Sequence, residues 1–182
     1  MYSMESKQPL FAGVKEGETF KIGDMEFIKF PSVGGQTPVV MKDIAFRSRF
    51  GKNNDFRSSE VLKKLESEIL PHIIAAVGAE NVCTFKTDLT TLDGLKTYGE
   101  RESKISLPTM DFYRENVEIF DRYNPGCWWW LATADSAQLH CDPDWVLCVS
   151  PSGRIIDDLY YYDNGVRPIL YFNSFIFESS EG

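Results

Sequence analysis

The chain has 182 residues, of which 43% are hydrophobic, 25% charged and 14% aromatic, and its formal net charge is −8. This length is typical of one domain that can bury a sizeable core without metals or disulfides. The negative charge disfavours direct binding to nucleic-acid phosphates, but it can attract a basic protein surface, including the nucleic-acid channel of another protein.

The N-terminal segment gives no sign of a targeting sequence. Residues 1–16 are predicted to be a flexible arm, because the first part is polar and contains Pro9 and Gly13. The segment lacks the basic and apolar regions of a secretory signal, and no apolar run approaches the roughly 18 residues of a membrane-spanning helix. We therefore expect a cytoplasmic protein without a membrane partner, with reduced cysteines. The cysteines are Cys83, Cys127, Cys141 and Cys148.

The first predicted elements are strands. Residues 19–22 and 25–30 alternate apolar and polar side chains around Gly23-Asp24, which predicts a two-residue hairpin. A further strand is predicted over residues 38–46. The polar connection 47–57 contains four basic residues. It favours a solvated loop, with a small anion-binding patch as the alternative.

The middle of the chain favours helices. Ser58 or Ser59 is expected to cap a helix whose apolar side chains recur at helical spacing. Pro71 is expected to end this helix and to begin a second short one that closes at Gly78. A short amphipathic helix is predicted over residues 110–120.

The regions between and after these helices are expected to be irregular or extended. Residues 81–85 favour a strand, and residues 87–106 favour a long irregular excursion. Strands are then predicted over 145–149, 154–159 and 166–172. A turn is expected at Asp163-Asn164-Gly165, and Pro168 places the last strand at a sheet edge or a bulge, because proline cannot donate to a ladder.

Three consecutive tryptophans form the densest apolar feature of the chain. Strand alternation sends Trp128 and Trp130 to one face and Trp129 to the other. Since each ring buries a large area, both faces need cover, which favours a central strand packed on both sides. The alternative is a stacking platform in a groove. The whole pattern predicts a single α+β domain over residues 17–177, with a mainly antiparallel twisted sheet, two main helices, long loops and a tail at 178–182.

No arrangement of reactive residues stands out. A zinc site would draw on the cysteines and His140, but no Cys-x-x-Cys pair is present. Acidic side chains between residues 142 and 163 could offer oxygen ligands to calcium, without the spacing of a calcium loop. Two histidines support a nucleophilic triad poorly, and a carboxylate pair for glycoside hydrolysis stays open. The sequence therefore predicts no catalytic residues, no metal and no cofactor.

The C-terminal third carries a pair of motifs found in a known family. Trp129-Trp130-Leu131 is followed by VLCVSPSGR at residues 146–154 and by NGVRPIL at residues 164–170. This pattern resembles an uncharacterised domain family, common in gut Firmicutes and their prophages, whose members carry WWLR and then GVRPAL. The resemblance covers residues 17–173, and the chain departs from it at Ala132, where the family usually has arginine.

That family is distantly similar to the C-type-lectin-like fold of formylglycine-generating enzymes and phage variable-tip proteins. The resemblance implies that the Gly-Val-Arg-Pro segment is structural and that Arg167 is a buried or half-buried residue that ties strands together. It implies no copper chemistry, because the cysteine pair of those enzymes has no counterpart here. The residues expected to be structural are Trp128, Trp129, Trp130, Gly165, Arg167 and Pro168.

The chain also resembles type II anti-CRISPR inhibitors, which block RNA-guided DNA nucleases, in its length, acidity and phage-type domain. We therefore expect a non-catalytic inhibitor whose partner is a basic nucleic-acid-binding nuclease, without strong nucleic-acid binding of its own. The alternative is a lectin-like module that recognises a glycan or a receptor, and an enzyme comes third. The expected partner-binding residues are Asp142, Asp144, Trp145, Asp157, Asp158, Tyr160, Tyr161 and Asp163.

Overall fold

A computed structural model describes residues 8–179 of the chain. Within these residues the strands are β1 (Thr19–Ile22), β2 (Met25–Lys29), β3 (Gln36–Met41), β4 (Phe46–Ser48), β5 (Phe85–Asp88), β6 (Glu100–Ser103), β7 (Trp129–Ala134), β8 (Trp145–Val149), β9 (Ile155–Leu159), β10 (Asn164–Val166) and β11 (Ile169–Asn173). The α-helices are α1 (Glu60–Lys64), α2 (Leu70–Val77), α3 (Met110–Glu115) and α4 (Val117–Arg122). A π-helical stretch, Leu65–Ile69, joins α1 to α2, and single 3₁₀ turns lie at Phe56–Ser58, Ala79–Asn81 and Ser174–Phe177.

The strands form three mostly antiparallel sheets. Their orders are β1-β2-β3-β11, β4-β10-β7-β8-β9 and β5-β6. Within the described part of the chain, the pairing of β10 with β7 is parallel and the other ladders are antiparallel. The predicted α+β class with antiparallel sheets is therefore confirmed. The prediction of two main helices is wrong, because only the α1–α2 helix is long and α3 and α4 are single short segments.

The first hairpin and the main helix start where the sequence predicts. Ile22 pairs with Met25 across Gly23-Asp24, and Gly23 has the positive φ of 62° that such a tight turn needs. Ser59 caps the main helix, since its Oγ accepts a hydrogen bond from Leu62 N at 3.1 Å.

Pro71 does not end the main helix. The chain stays helical through the π-helical stretch, where Leu70 N donates to the carbonyl of Leu65, and Pro71 lies in the first turn of α2. A π turn inserts one extra residue, which relieves the clash of a proline ring with the preceding turn. The second helix, α2, ends at Gly78 as predicted, where the Gly78 N–H donates to Ile74 O at 2.9 Å.

The tryptophan run lies at the centre of the five-stranded sheet. Trp129 and Trp130 are 1% and 0% exposed and belong to the two apolar clusters on opposite faces of β7. The expectation that Trp128 shares the buried face of Trp130 is wrong. Trp128 precedes the strand and its side chain is 37% exposed, while its carbonyl accepts the N–H of Gly165 at 2.9 Å.

Two predicted strands are each divided between two sheets. The segment 38–46 contains the end of β3 and the start of β4, and these strands lie in different sheets. Likewise, Arg167-Pro168 separates β10 from β11, so Pro168 lies between two sheets. The strand that follows it, β11, is an edge strand of the four-stranded sheet, as Pro168 predicts. The turn expected at residues 163–165 falls at residues 160–162, and Gly165 lies inside β10. The excursion predicted over 87–106 contains the end of β5 and all of β6, which pair with each other as antiparallel strands.

The second half of the predicted N-terminal arm packs on the domain. Phe11 N donates to Ile176 O at 2.8 Å, and the Phe11 ring lies 4.6 Å from the ring of Phe20. The arm is therefore anchored from this point. Its residues 1–7, and residues 180–182 of the predicted tail, lie outside the described part of the chain.

Candidate functional site

A buried asparagine positions the loop that precedes β8. The side-chain amide of Asn54 donates to the carbonyls of Ser136 and Trp145 at 2.9 and 3.0 Å, and its oxygen accepts from the Tyr98 hydroxyl at 2.5 Å. Its N–H donates to Pro143 O at 2.9 Å. Asn54 is 1% exposed, so these bonds form in a shielded environment and fix the 136–145 loop.

Several predicted contact residues meet where β8 begins and β9 ends. Tyr160 N donates to Asp144 O at 3.0 Å, which places the residue after β9 beside the residue before β8. The group consists of Asp142, Asp144, Trp145, Tyr160, Tyr161 and Tyr162, and we call it the acidic–aromatic end. Strand alternation places the Trp145 side chain on the face of Leu147, so it borders the tyrosine run from the other face of the sheet. Tyr162 was not foreseen, although it belongs to the visible run of three tyrosines.

The side chains of this acidic–aromatic end are largely accessible. Trp145, Tyr161 and Tyr162 are 39%, 53% and 50% exposed, while Tyr160 is half-buried. The three tyrosine rings stand against one another, with centroid distances of 5.3 Å and 5.1 Å along the run. Partial desolvation, followed by the neighbouring tyrosines and then by Asp144, raises the pKa of Tyr161. The hydroxyl therefore stays protonated and can donate a hydrogen bond.

Two predicted contact residues also make contacts within the fold. Asp158 accepts hydrogen bonds from Asn164 Nδ2 at 3.1 Å and from Leu159 N at 2.9 Å. Asp163 lies 3.7 Å from Arg47 Nε, and its carbonyl accepts from Arg47 Nη2 at 2.8 Å. The bonds of Asp158 hold β9 in place, so its carboxylate already has partners within the fold. The side chain of Asp163 is 68% exposed, and its weak surface contact with Arg47 leaves the carboxylate accessible.

Asp157 lies on the other face of the sheet. Its neighbour across the ladder is Leu147, which packs with Tyr113 and Trp129 rather than with the tyrosine run. On this face Asp157 meets Asp135. Burial, then the charge and hydrogen bond of Asp157, raise the pKa of Asp135. The nearby Asp157 carboxylate thus disfavours ionisation of Asp135.

A second polar cluster lies next to this pair and was missed by the sequence analysis. Asp93 accepts hydrogen bonds from Thr91 Oγ1 at 2.5 Å and Ser136 Oγ at 2.6 Å, and its carboxylate lies 2.7 Å from His140 Nδ1. These partners, His140 first, hold the pKa of Asp93 well below its usual range. The visible signal was the Asp93-Gly94 turn, but nothing local connects it with His140.

This cluster contains serine, histidine and aspartate without the geometry of a nucleophilic triad. In a triad the serine hydroxyl donates to the histidine, which in turn is held by the carboxylate. Here Ser136 and His140 both bind the same oxygen, Oδ2, of Asp93. The arrangement fastens the 136–141 loop to the loop around residue 93, which is a structural role.

The basic connection 47–57 does not present a free anion patch. Arg49 makes a bidentate ion pair with Glu60 at 2.6 Å, and Arg57 makes one with Asp55 at 2.8 Å. Together with the contact of Arg47 to Asp163, these pairs neutralise three of the basic side chains. This favours the solvated-loop interpretation over the anion patch.

Arg167 lies between the two larger sheets. It is fully buried and donates from Nε to Met41 O at 3.1 Å and from Nη2 to Lys42 O at 2.9 Å. Its guanidinium lies 4.7 Å from the centre of the Trp129 ring. Burial lowers the pKa of Arg167 to about 10. Nη1 has no hydrogen-bond partner within residues 8–179.

The neighbouring glycine is required by a close approach. A Cβ atom on Gly165 would lie 2.6 Å from Ile44 Cδ1 and 3.0 Å from the carbonyl oxygen of Trp128. A side chain there would displace the end of the Ile44 side chain and press on the Trp128 carbonyl, which accepts the Gly165 N–H. Gly165, Arg167 and Pro168 therefore act together in the passage of the chain from one sheet to the other.

The four cysteines are free thiols with different environments. Cys148 is buried, which raises its pKa to about 12, and burial also raises the pKa of Cys83. Cys127 is half-buried and Cys141 is exposed. Within residues 8–179, no three His, Cys, Asp or Glu side chains are grouped to hold a metal ion.

None of the helices between residues 8 and 179 is long and apolar enough to cross a membrane. Comparison with protein families, with curated proteins and with solved structures finds no match to this chain.

Proposed function

We propose that this chain is a non-catalytic binding protein that inhibits a nucleic-acid-handling partner in the cytosol, namely a type II RNA-guided DNA nuclease. The observation that supports this is the acidic–aromatic end, where accessible aromatic rings stand beside carboxylates. Aromatic side chains are the commonest anchors of protein interfaces. Carboxylates beside them steer a basic surface into contact and fix its register.

Charge balance around this end favours a basic partner. Asp142 and Asp144 take part in none of the ion pairs within residues 8–179. The nearby arginines of the 47–57 connection are already paired with acidic side chains. The negative charge at this end is therefore not cancelled locally, and the net charge of −8 strengthens the attraction over longer distances.

The finer fold assignment is part of the same proposal. The chain is a distant variant of the C-type-lectin-like fold, as its motifs imply, with Arg167-Pro168 as the connection between two sheets. An experimental structure of a family member that carries WWLR and GVRPAL tests this assignment. A different strand order around the equivalent arginine would refute it.

The proposed function is tested by a DNA-cleavage assay with a purified type II nuclease loaded with its guide RNA. Wild-type protein in excess is expected to inhibit cleavage and to co-purify with the nuclease. Asp142→Asn/Asp144→Asn should weaken inhibition roughly tenfold at low salt and less at high salt. Trp145→Ala/Tyr161→Ala should weaken it by a similar factor at both salt concentrations.

The matched control is Glu68→Gln/Glu118→Gln. It changes the net charge by the same amount, at two exposed carboxylates on the main helix and α4. It should inhibit like the wild type. Undiminished cleavage in the presence of wild-type protein would refute the inhibitor proposal. Glycan binding that depends on Trp145 and Tyr161 but not on salt would then favour the lectin-like alternative.

A further inference from the structure

The outer edge of β9 is open. β9 is the last strand of the five-stranded sheet, and within the described chain its ladder partner is β8 alone. Edge strands present unpaired backbone groups that can accept another strand. At this edge the hydrogen-bond pattern defines which groups are available.

The available groups belong to Ile155 and Asp157. Ser150 N donates to Arg154 O at 2.8 Å and Tyr160 N to Asp144 O at 3.0 Å, so the even-numbered residues of this segment bond towards β8. In an antiparallel ladder the residues between them point the other way. Leu159 also points outward, but its N–H donates to Asp158 Oδ1 and its carbonyl accepts from Tyr162 N. Ile155 and Asp157 thus each keep one N–H donor and one C=O acceptor that can bind an added strand.

The side chains at these two positions lie on one face and line the same pocket. Ile155 and Asp157 border this pocket of about 480 Å³ together with Leu147 and Met110, and Ile155 packs against the apolar cluster that contains Leu147. Arg114 lines the same pocket from α3. Asp157, two residues on, meets the carboxyl of Asp135. The edge therefore offers an apolar position beside an acidic one.

We propose that β9 accepts an extended segment of a basic protein as an added antiparallel strand. This proposal rests on the proposed function in taking the partner to be basic, and it names how that partner is held. Residues directly opposite in an antiparallel pair share a face. The partner segment therefore has a basic side chain opposite Asp157 and, two residues away, an apolar side chain opposite Ile155 that enters the pocket.

The net charge of −8 disfavours a second copy of this chain as the occupant, because two copies repel each other. Concentration-dependent dimerisation of the free protein through β9 is the outcome that would point to a second copy instead. The Asp157 carboxylate at this edge favours a partner of opposite charge.

The proposal is tested with a synthetic alternating peptide, acetyl-Thr-Lys-Thr-Val-Thr-Lys-Thr-Val-Thr-amide, by fluorescence anisotropy and by amide exchange. Binding is expected, with slower exchange at the N–H groups of Ile155 and Asp157. N-methylation of the Lys and Val residues should abolish binding, because their N–H groups face β9 in the antiparallel register. N-methylation of the Thr residues should leave binding in place, and replacement of Lys by Glu should remove it.

Two substitutions of Asp157 separate the contribution of its backbone N–H from that of its carboxylate. Asp157→Ala removes the carboxylate and should weaken binding several-fold at low salt. Asp157→Pro removes the outward N–H as well, without loss of a bond to β8, and should bind roughly tenfold more weakly than Asp157→Ala. Equal affinities of these two variants, equal binding of the two N-methylated peptides, or no binding of the unmodified peptide would overturn the proposal.

The nuclease assay is run on the same variants and keeps the two proposals distinguishable. A peptide that binds β9 while the wild-type protein fails to inhibit the nuclease refutes the proposed function alone. Inhibition that persists in Asp157→Pro, with no peptide binding to the wild type, refutes strand addition alone.

Discussion

Trp128 and Trp130 offer a direct test of the packing, because the same truncation should have very different consequences two residues apart. Trp130 is 0% exposed, its ring lies 5.5 Å from the ring of Phe50, and its Nε1 donates to Ser48 O at 2.9 Å. Trp130→Ala should lower the free energy of unfolding by about 3–5 kcal/mol, as for other buried aromatic truncations. A further ~1 kcal/mol comes from the carbonyl of Ser48, which loses its donor in a buried site.

Trp128→Ala is the matched control. Because the Trp128 side chain is 37% exposed and precedes β7, its truncation should cost less than about 2 kcal/mol. Urea denaturation followed by far-UV circular dichroism measures both values without relying on tryptophan fluorescence. For a domain of this size, the larger loss lowers the melting temperature by roughly 10 °C or more. Equal losses in the two variants would refute the assignment of Trp130 to the core and Trp128 to the surface.

Three further outcomes are expected. Arg167→Lys should be destabilising despite its retained charge, because an ammonium cannot reproduce the forked donation to the carbonyls of Met41 and Lys42; thermal melts check this. The pKa of Asp135 is raised in the folded state, so the fold loses stability as the pH rises from the ordinary aspartate pKa to this raised value. Asp135→Asn should therefore have a larger free energy of unfolding than wild type at pH 7, and the difference should vanish below about pH 4, where the aspartate is protonated in both states. In native protein, a thiol reagent should modify the exposed Cys141 quickly and the buried Cys148 only on unfolding; equal rates would contradict their environments.

The features that the sequence predicted well are those set by neighbouring residues. The Gly23-Asp24 hairpin needs only its turn and the alternation of its strands, and the Ser59 cap needs only the first turn of its helix. Pro71 was misread because a local rule, that proline stops a helix, was overridden by one extra residue in the preceding turn. The strands predicted as continuous over residues 38–46 and 166–172 are each divided between two sheets, and these predictions were wrong for another reason. Extended backbone at residue 167 is the same whether the chain continues in one sheet or crosses to the next.

The candidate site was less accessible to sequence reasoning, because distant contacts decide which acidic residues remain free. Asp157 and Asp158 are adjacent and were treated alike, yet strand alternation places them on opposite faces, one beside Asp135 and the other bonded to Asn164. The hydrogen bond between Asp93 and His140 joins residues that are 47 positions apart, and no periodic pattern in the sequence predicts it.

Asn54 explains why the acidic–aromatic end can have a defined shape although it is built from loops. A loop that binds a partner loses conformational freedom on binding, and a loop that is already fixed loses less. Asn54 ties the backbone at Ser136, Pro143 and Trp145 to one buried point, and the Phe50 N–H holds the carbonyl of Tyr160 at 2.8 Å. Both sides of the acidic–aromatic end are thereby fastened to the same segment, residues 50–54. Since that segment leads into the cap of the main helix, the helix and the proposed binding surface are coupled through a few buried hydrogen bonds.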